Sequence, residues 1–235
     1  WRDRRGRSGG VVNGAQLVRG NSVPDAVPAS RTVGSPVLVV LTGEPDPPGW
    51  AVDWCHWSGR ELRTRHRSSR PRHSPPATFG QDVADLVGVP VLVVRPTPPR
   101  QGPAHVIAAI GGLPDDADVL ANAEQSAVYL GASLVIVHGV PRSFAERSVG
   151  LDSAVERGRQ LLDTATRHAN QAVPGLEVTS RLLRVHPHEL VGETFGAELF
   201  VVGVPATRCL SSLDRTATSA LGGAHCPILL VPRHR

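Results

Sequence analysis

Lysine is missing from all 235 residues, methionine is missing too, and there is a single tyrosine; aromatic residues make up only 4% of the chain. Every basic side chain is therefore Arg, and a core must be built from Val, Leu, Ile and Ala rather than from large rings. With no Met even at position 1, the sequence as it stands is expected to lack its natural start. Cysteine is scarce as well. Cys55, Cys209 and Cys226 are too few and too scattered for a disulfide framework or a CxxC metal site, and they read as thiols in a reducing compartment. No stretch approaches the roughly 18 apolar residues that a membrane span requires, and no charged-then-apolar signal segment opens the chain. A cytoplasmic protein without a membrane partner is the expectation.

Charge of one sign is short in each half. Residues 1–103 carry 14 Arg against 8 acidic residues, whereas residues 104–232 carry 9 Arg against 13 acidic residues. The net charge of +4 thus belongs to the N-terminal part. Against this background a strand phrase recurs: Ser35-Pro-Val-Leu-Val-Val40, Val89-Pro-Val-Leu-Val-Val94 and Cys226-Pro-Ile-Leu-Leu-Val231. Short branched runs without polar alternation are what parallel strands covered on both faces look like. The proline-rich stretch from Arg95 to Pro103 follows the second copy and continues neither a helix nor a central strand, which places the domain boundary there.

Beyond that boundary strand and helix alternate. Val106–Ile110 reads as a strand, and Gly111-Gly112 as a turn. Asp115 and Asp116 read as the acidic start of a helix with Leu120, Ala123, Ala127 and Leu130 at helical spacing, stopped by Gly131. Ser133–His138 is a second strand, Asp152–Ala172 a helix, and Leu176–Val185 a third strand. Pro187–Phe195 follows as a short helix, Leu199–Val204 as a fourth strand, Ser212–Gly222 as a last helix and Ile228–Val231 as a fifth strand. Such alternation predicts an α/β fold, a five-stranded parallel doubly wound sheet of order 3-2-1-4-5 over residues 104–233.

The first hundred residues are less regular. Residues 1–35 are rich in Arg, Gly, Ser and Pro and are expected to be disordered or partial. Within 36–98, Val37–Leu41 reads as a strand and Gln81–Leu86 as a helix leading into Val91–Val94. Trp50–Pro76 between them shows no sustained period. Its core, Arg60–His73, has six Arg, two His and one Glu in fourteen positions. A basic run after Trp54 and Trp57 suggests phosphate contact and base stacking, but without helical period it reads as a solvated linker, and no nucleic-acid partner is expected.

Val106-Ile-Ala-Ala-Ile-Gly-Gly-Leu-Pro-Asp115, Ala132-Ser-Leu-Val-Ile-Val-His138, Ala197-Glu-Leu-Phe-Val-Val-Gly203 and His225-Cys-Pro-Ile-Leu-Leu-Val231 stand in the order and spacing of a universal stress protein domain, which this half resembles over about 130 residues. Val37-Leu-Val-Val-Leu-Thr-Gly-Glu-Pro45 with Ala51-Val-Asp-Trp54, and Thr78-Phe-Gly-Gln81 through Val94, resemble the beginning and end of a second, degenerate tandem copy. The resemblance implies an adenine-nucleotide site. The family's ATP-binding members place Asp-Gly-Ser after the first strand and a G-x2-G-x9-G-[S/T] loop after the fourth, where backbone amides approach phosphate. Here the first motif reads Gly111-Gly112-Leu113, so its carboxylate is gone. The second keeps Gly203, but its next step falls on Ala206 and its final pair on Thr216-Ala217, or on Asp214-Arg215 counted back from Cys226.

The expected crevice therefore lies between the turn at Gly111–Asp115 and the loop at Gly203–Ser212, with Gly112, Gly203, Arg208, Ser211 and Ser212 as candidate residues for a nucleotide or small anion. The resemblance with these departures implies a non-enzymatic stress-response regulatory or small-ligand-sensing module with a degenerate nucleotide site. Its self-association is expected through the last strand, as a homodimer or an internal pseudo-dimer. The alternative is an ATP-binding member with slow hydrolysis; no cofactor is required by the first reading, and ATP is the disfavoured one. His186-Pro-His188-Glu189 offers at most two metal ligands, so no metal site is expected. No Ser-His-Asp order, paired carboxylates or HExxH motif is present, and catalytic residues are none.

Overall fold

A computed structural model of the chain describes residues 37–41, 49–66, 89–94, 102–141, 151–205 and 214–233, with the backbone alone for 37–41, 64–66 and 151. The expected helix at Gln81–Leu86, the first 35 residues and most of the Arg95–Pro103 stretch lie outside them.

The C-terminal half alternates as its sequence predicts. Strand β4 is His105–Ala109, β5 Ser133–Gly139, β6 Val178–Leu183, β7 Leu199–Pro205 and β8 Ile228–Arg233. Between them run helix α2 (Ala117–Leu130), helix α3 (Leu151–Ala172), a 3₁₀ helix (Pro187–Thr194) and helix α4 (Arg215–Gly223). All four pairings among these strands are parallel, in the order β6-β5-β4-β7-β8, which is 3-2-1-4-5 in chain order. Gly131 ends α2 in the left-handed region at φ 59°, the conformation that makes glycine the natural stop there. The last strand runs two residues further than the apolar phrase predicts, through Pro232 to Arg233.

The N-terminal residues add three strands to this same sheet. Strand β1 is Val37–Leu41, β2 Leu62–His66 and β3 Val91–Val94, with helix α1 at Gly49–Trp57. Strand β1 lies between β2 and β3, parallel to both, and β3 pairs antiparallel with β8, giving the continuous order β2-β1-β3-β8-β7-β4-β5-β6. The expectation that Trp50–Pro76 carries no regular structure is corrected over its first part. Residues 50–57 form most of α1, and Leu62–His66 of the Arg-rich run is strand, because its backbone pairs in parallel with β1, and strand pairing needs no helical period.

Two apolar layers sandwich the sheet. One packs Val106, Ala108, Leu134, Ile136, Val201, Leu229 and Leu92 under α1, α2 and α3, through residues such as Trp54, Leu120, Ala123, Leu162 and Ala165. The other packs Ile107, Val137, Phe200, Val202, Leu230 and Val93 under the 3₁₀ helix and α4, through Leu190, Ala217 and Ala220. Consecutive strand residues thus alternate between two buried faces, which is why the strands read as unbroken apolar runs. Each fully buried Val, Leu, Ile or Phe among them contributes about 1.5–3 kcal/mol of burial free energy.

Helix α1 is fastened to α2 by polar contacts as well. The Arg60 guanidinium, on a residue only 5% exposed, donates to Asn122 Oδ1 at 2.7 Å and lies over the Trp54 ring. The Tyr129 hydroxyl donates to the Trp50 carbonyl, and the Trp57 and Tyr129 rings meet at 5.4 Å. The tryptophans read as base-stacking candidates are therefore core and helix-packing residues, and Arg60 is a buried tie rather than part of a solvated linker. Among the described residues no helix is long and apolar enough to cross a membrane.

Candidate functional site

In an open parallel sheet the ligand crevice opens at the carboxyl ends of the strands where chain order reverses, here beside β4. The carboxyl ends of β7 and β8 lie on the same rim, since Gly203 is in register with Val231 and Pro205 with Arg233. Of the five residues singled out from sequence, Gly112 and Gly203 stand at this rim; Arg208, Ser211 and Ser212 lie outside the described residues.

A carboxylate occupies the rim. Asp116, at the N-terminus of α2 and 1% exposed, turns its side chain back over the turn after β4. Its Oδ2 accepts the Gly111 amide at 2.6 Å and the Gly112 amide at 3.1 Å, and its Oδ1 accepts the Arg233 Nε–H at 2.5 Å. Arg233 also donates from Nη1 to Asp214 Oδ2 at 3.4 Å, while Asp214 Oδ1 caps α4 by accepting the Ala217 amide at 2.8 Å. The Gly112 amide assigned to a ligand is thus already bonded to the protein itself.

Gly203 has a different reason to be glycine from the one its motif implies. Arg233 sits at the end of β8, and its side chain reaches Asp116 beside β4 by crossing the intervening β7 at Gly203. A methyl group at Gly203 would stand 2.5 Å from Arg233 Nε and 2.7 Å from Asp116 Oδ1. No carbon atom sits that close to either group without displacing it. Glycine there makes room for an ion pair.

A second part of the rim lies on the other side of β4. A crevice of about 310 Å³ is lined by Gly111, His138, Val140, Ala154, Arg157 and Leu161, between the ends of β4 and β5 and the first turns of α3. His138 Nδ1 lies 2.9 Å from the Ile110 carbonyl. A carbonyl only accepts, so Nδ1 carries a proton, and in the neutral ring Nε2 is left as an acceptor. Gly158 lets α3 sit close: a methyl there would meet Leu182 Cδ1 at 2.5 Å and His138 Cδ2 at 3.0 Å. Beyond Pro205, the loop after β7 that bounds the expected crevice lies outside the described residues.

Asp116, Arg233, His138 and Arg157 are the residues that sequence reasoning did not assign to the site. A usable signal existed for one of them: His138 ends the second strand as predicted, and the open-sheet rule puts the carboxyl ends of parallel strands on the ligand rim, whereas Arg233 lies two residues beyond the predicted last strand.

Other reactive groups lie apart. Burial pushes the Cys55 thiol up to about 11, against the weaker opposing pull of Arg60, so the thiol is protonated at neutral pH. Cys226 is buried in the core as its position before the last strand predicts, and Cys209 lies outside the described residues. Burial likewise raises the Glu124 carboxyl, partly offset by His168 at 3.6 Å. His186 and His188 stack at 5.4 Å, but His186 and Glu189 are engaged with each other's backbone in a capping box. Among the described residues no cluster of three or more His, Cys, Asp or Glu is placed to hold a metal ion.

No family model matches the chain, and no curated protein matches it. Solved structures do. It is similar to a universal stress protein from Archaeoglobus fulgidus at 20% identity and a TM-score of 0.46, over 57% of this chain and 100% of that one. A structure of the universal stress protein from Archaeoglobus fulgidus in complex with dAMP aligns at 22% identity and a TM-score of 0.42, over 57% and 98%. A universal stress protein family member from Burkholderia pseudomallei aligns at 25% identity and 0.43, over 55% and 95%.

Proposed function

We propose that this chain is a non-enzymatic regulatory module of universal stress protein type, which senses a small ligand in the crevice between β5 and α3 and has a degenerate nucleotide site. The observation that carries this reading is the engagement of the Asp116 carboxylate by the Gly111 and Gly112 amides and by Arg233. Backbone amides at a turn before a helix are suited to phosphate, and here they are saturated by a buried anion of the protein's own. A triphosphate at this rim would have to displace Asp116, or sit against its negative charge with Gly203 roofed by Arg233. The remaining crevice, about 310 Å³, is at the small end of ligand pockets and combines apolar walls, one imidazole acceptor and the exposed Arg157. A planar ligand of modest size carrying a hydrogen-bond donor suits it.

We assign no catalytic role to the described residues: His138, the one imidazole lining the crevice, is tied to a backbone carbonyl, and Cys55 is a buried, protonated thiol. Self-association through the last strand is internal in this reading, because the free edge of β8 is taken by β3 of the same chain. Calorimetric titration with ATP tests the proposal. The expected result is no saturable heat at micromolar nucleotide; micromolar binding that disappears when Gly203 is replaced by a bulky residue would overturn it in favour of the ATP-binding alternative.

A further inference from the structure

The two aspartates at the N-termini of α2 and α4 behave differently. Asp214 caps its own helix through Ala217. Asp116 makes no side-chain cap bond to α2, although Asp is among the residues best suited to that task. It turns instead toward the amides of Gly111 and Gly112 in the turn just before it and toward the guanidinium of Arg233, 117 positions away, whose Nη1 also reaches Asp214 at 3.4 Å. One carboxylate oxygen serves the amide pair and the other the guanidinium, and the group is shielded from water. Such convergence of N–H donors is how proteins bind a free oxyanion.

We propose that the Gly111 and Gly112 amides and the Arg233 guanidinium form an oxyanion receptor for a small planar carboxylate, and that the Asp116 carboxylate is its resident intramolecular ligand. The receptor is assembled only when β8 is in place, because Arg233 ends that strand and crosses bare Gly203 to reach it. The internal ligand therefore joins the first turn of the C-terminal half to its last strand, and the same strand carries the seam with β3. Removing the carboxylate without removing the donors should leave a vacancy of matching charge and shape. This inference rests on the reading that the protein itself closes the rim, but the two fail separately. ATP binding by the unaltered chain would sink that reading, whereas the receptor is tested on a variant with a different ligand.

The test is chemical rescue of Asp116→Ala in the full chain by sodium formate, with sodium chloride at matched ionic strength as the control. Formate is expected to raise the unfolding midpoint of the variant saturably, in the logarithmic form of a single-site ligand, with no such rise in chloride and none in the unaltered protein. The amide resonances of Gly111 and Gly112 should titrate along the same curve. Adding Arg233→Ala should abolish the response. If Asp116→Ala does not fold unaided, formate-dependent refolding is the equivalent readout. Absence of any formate effect beyond that of chloride, on the folded variant or on refolding, overturns the proposal; so does an equal formate response in the unaltered chain.

Discussion

Glycine at two places on the same rim does two different jobs. A methyl group at Gly112 would touch nothing within 4 Å, whereas one at Gly203 would press on the Arg233 and Asp116 side chains at 2.5 and 2.7 Å. Gly203→Ala must therefore displace an ion pair whose carboxylate is buried, and we expect a loss of about 1–3 kcal/mol, the usual range for forcing extra atoms into a packed site. Gly112→Ala should stay within about 0.5 kcal/mol of the unaltered protein, as for most substitutions that touch nothing. Urea denaturation of the two variants checks the contrast; equal stabilities would mean that Arg233 does not cross β7 in solution. At this scale the sequence was legible in part. The loss of the second motif could be counted along the chain, and Gly203 stood out. The reason for Gly203 could not be read, because Arg233 follows it by thirty positions and looks like one more charge of a basic tail.

Helix α1 buries Ala51, Trp54 and Cys55 and packs Trp50 and Trp57 against the same core. Arg60 adds a polar tie. Its guanidinium satisfies Asn122 Oδ1 inside the core, and Asn122 in turn donates to the Asp118 carbonyl. Arg60→Ala would leave that amide oxygen without its charged donor, and a hydrogen bond to a charged group contributes about 1.5–3 kcal/mol. We expect a loss of this size and a red-shifted tryptophan emission as Trp54 is exposed; a variant as stable as the parent would show that α1 does not depend on the tie. The periodicity of α2, α3 and the five C-terminal strands was plain in the sequence, since their apolar spacing matches the face they bury. Strand β2 was not, because Leu62–His66 is an edge strand dominated by Arg and His, with only β1 beside it and no apolar run to announce it.

At the scale of the whole molecule, the described strands of both halves form one continuous eight-stranded sheet. Strands β1, β2 and β3 do not close a sheet of their own; they continue across the antiparallel β3–β8 pair, in which Val91, Leu92 and Val93 face Leu230, Leu229 and Ile228. With β8 paired on both sides, the strand edges left at the ends of the described sheet are β2 and β6. Sedimentation equilibrium should accordingly return the mass of one chain across the micromolar range. A concentration-dependent dimer would show that another surface associates, and would remove the internal seam as the reason for a monomer. The parallel alternating architecture and the order of its last five strands were legible in the sequence alone, because each depends on residues close together or on a repeated local period. The meeting of Asp116 and Arg233 across Gly203, the crevice beside His138 and Arg157, and the pairing of β3 with β8 were decided only by the tertiary structure. Each requires groups distant along the chain to meet, and local spacing carries no record of such meetings.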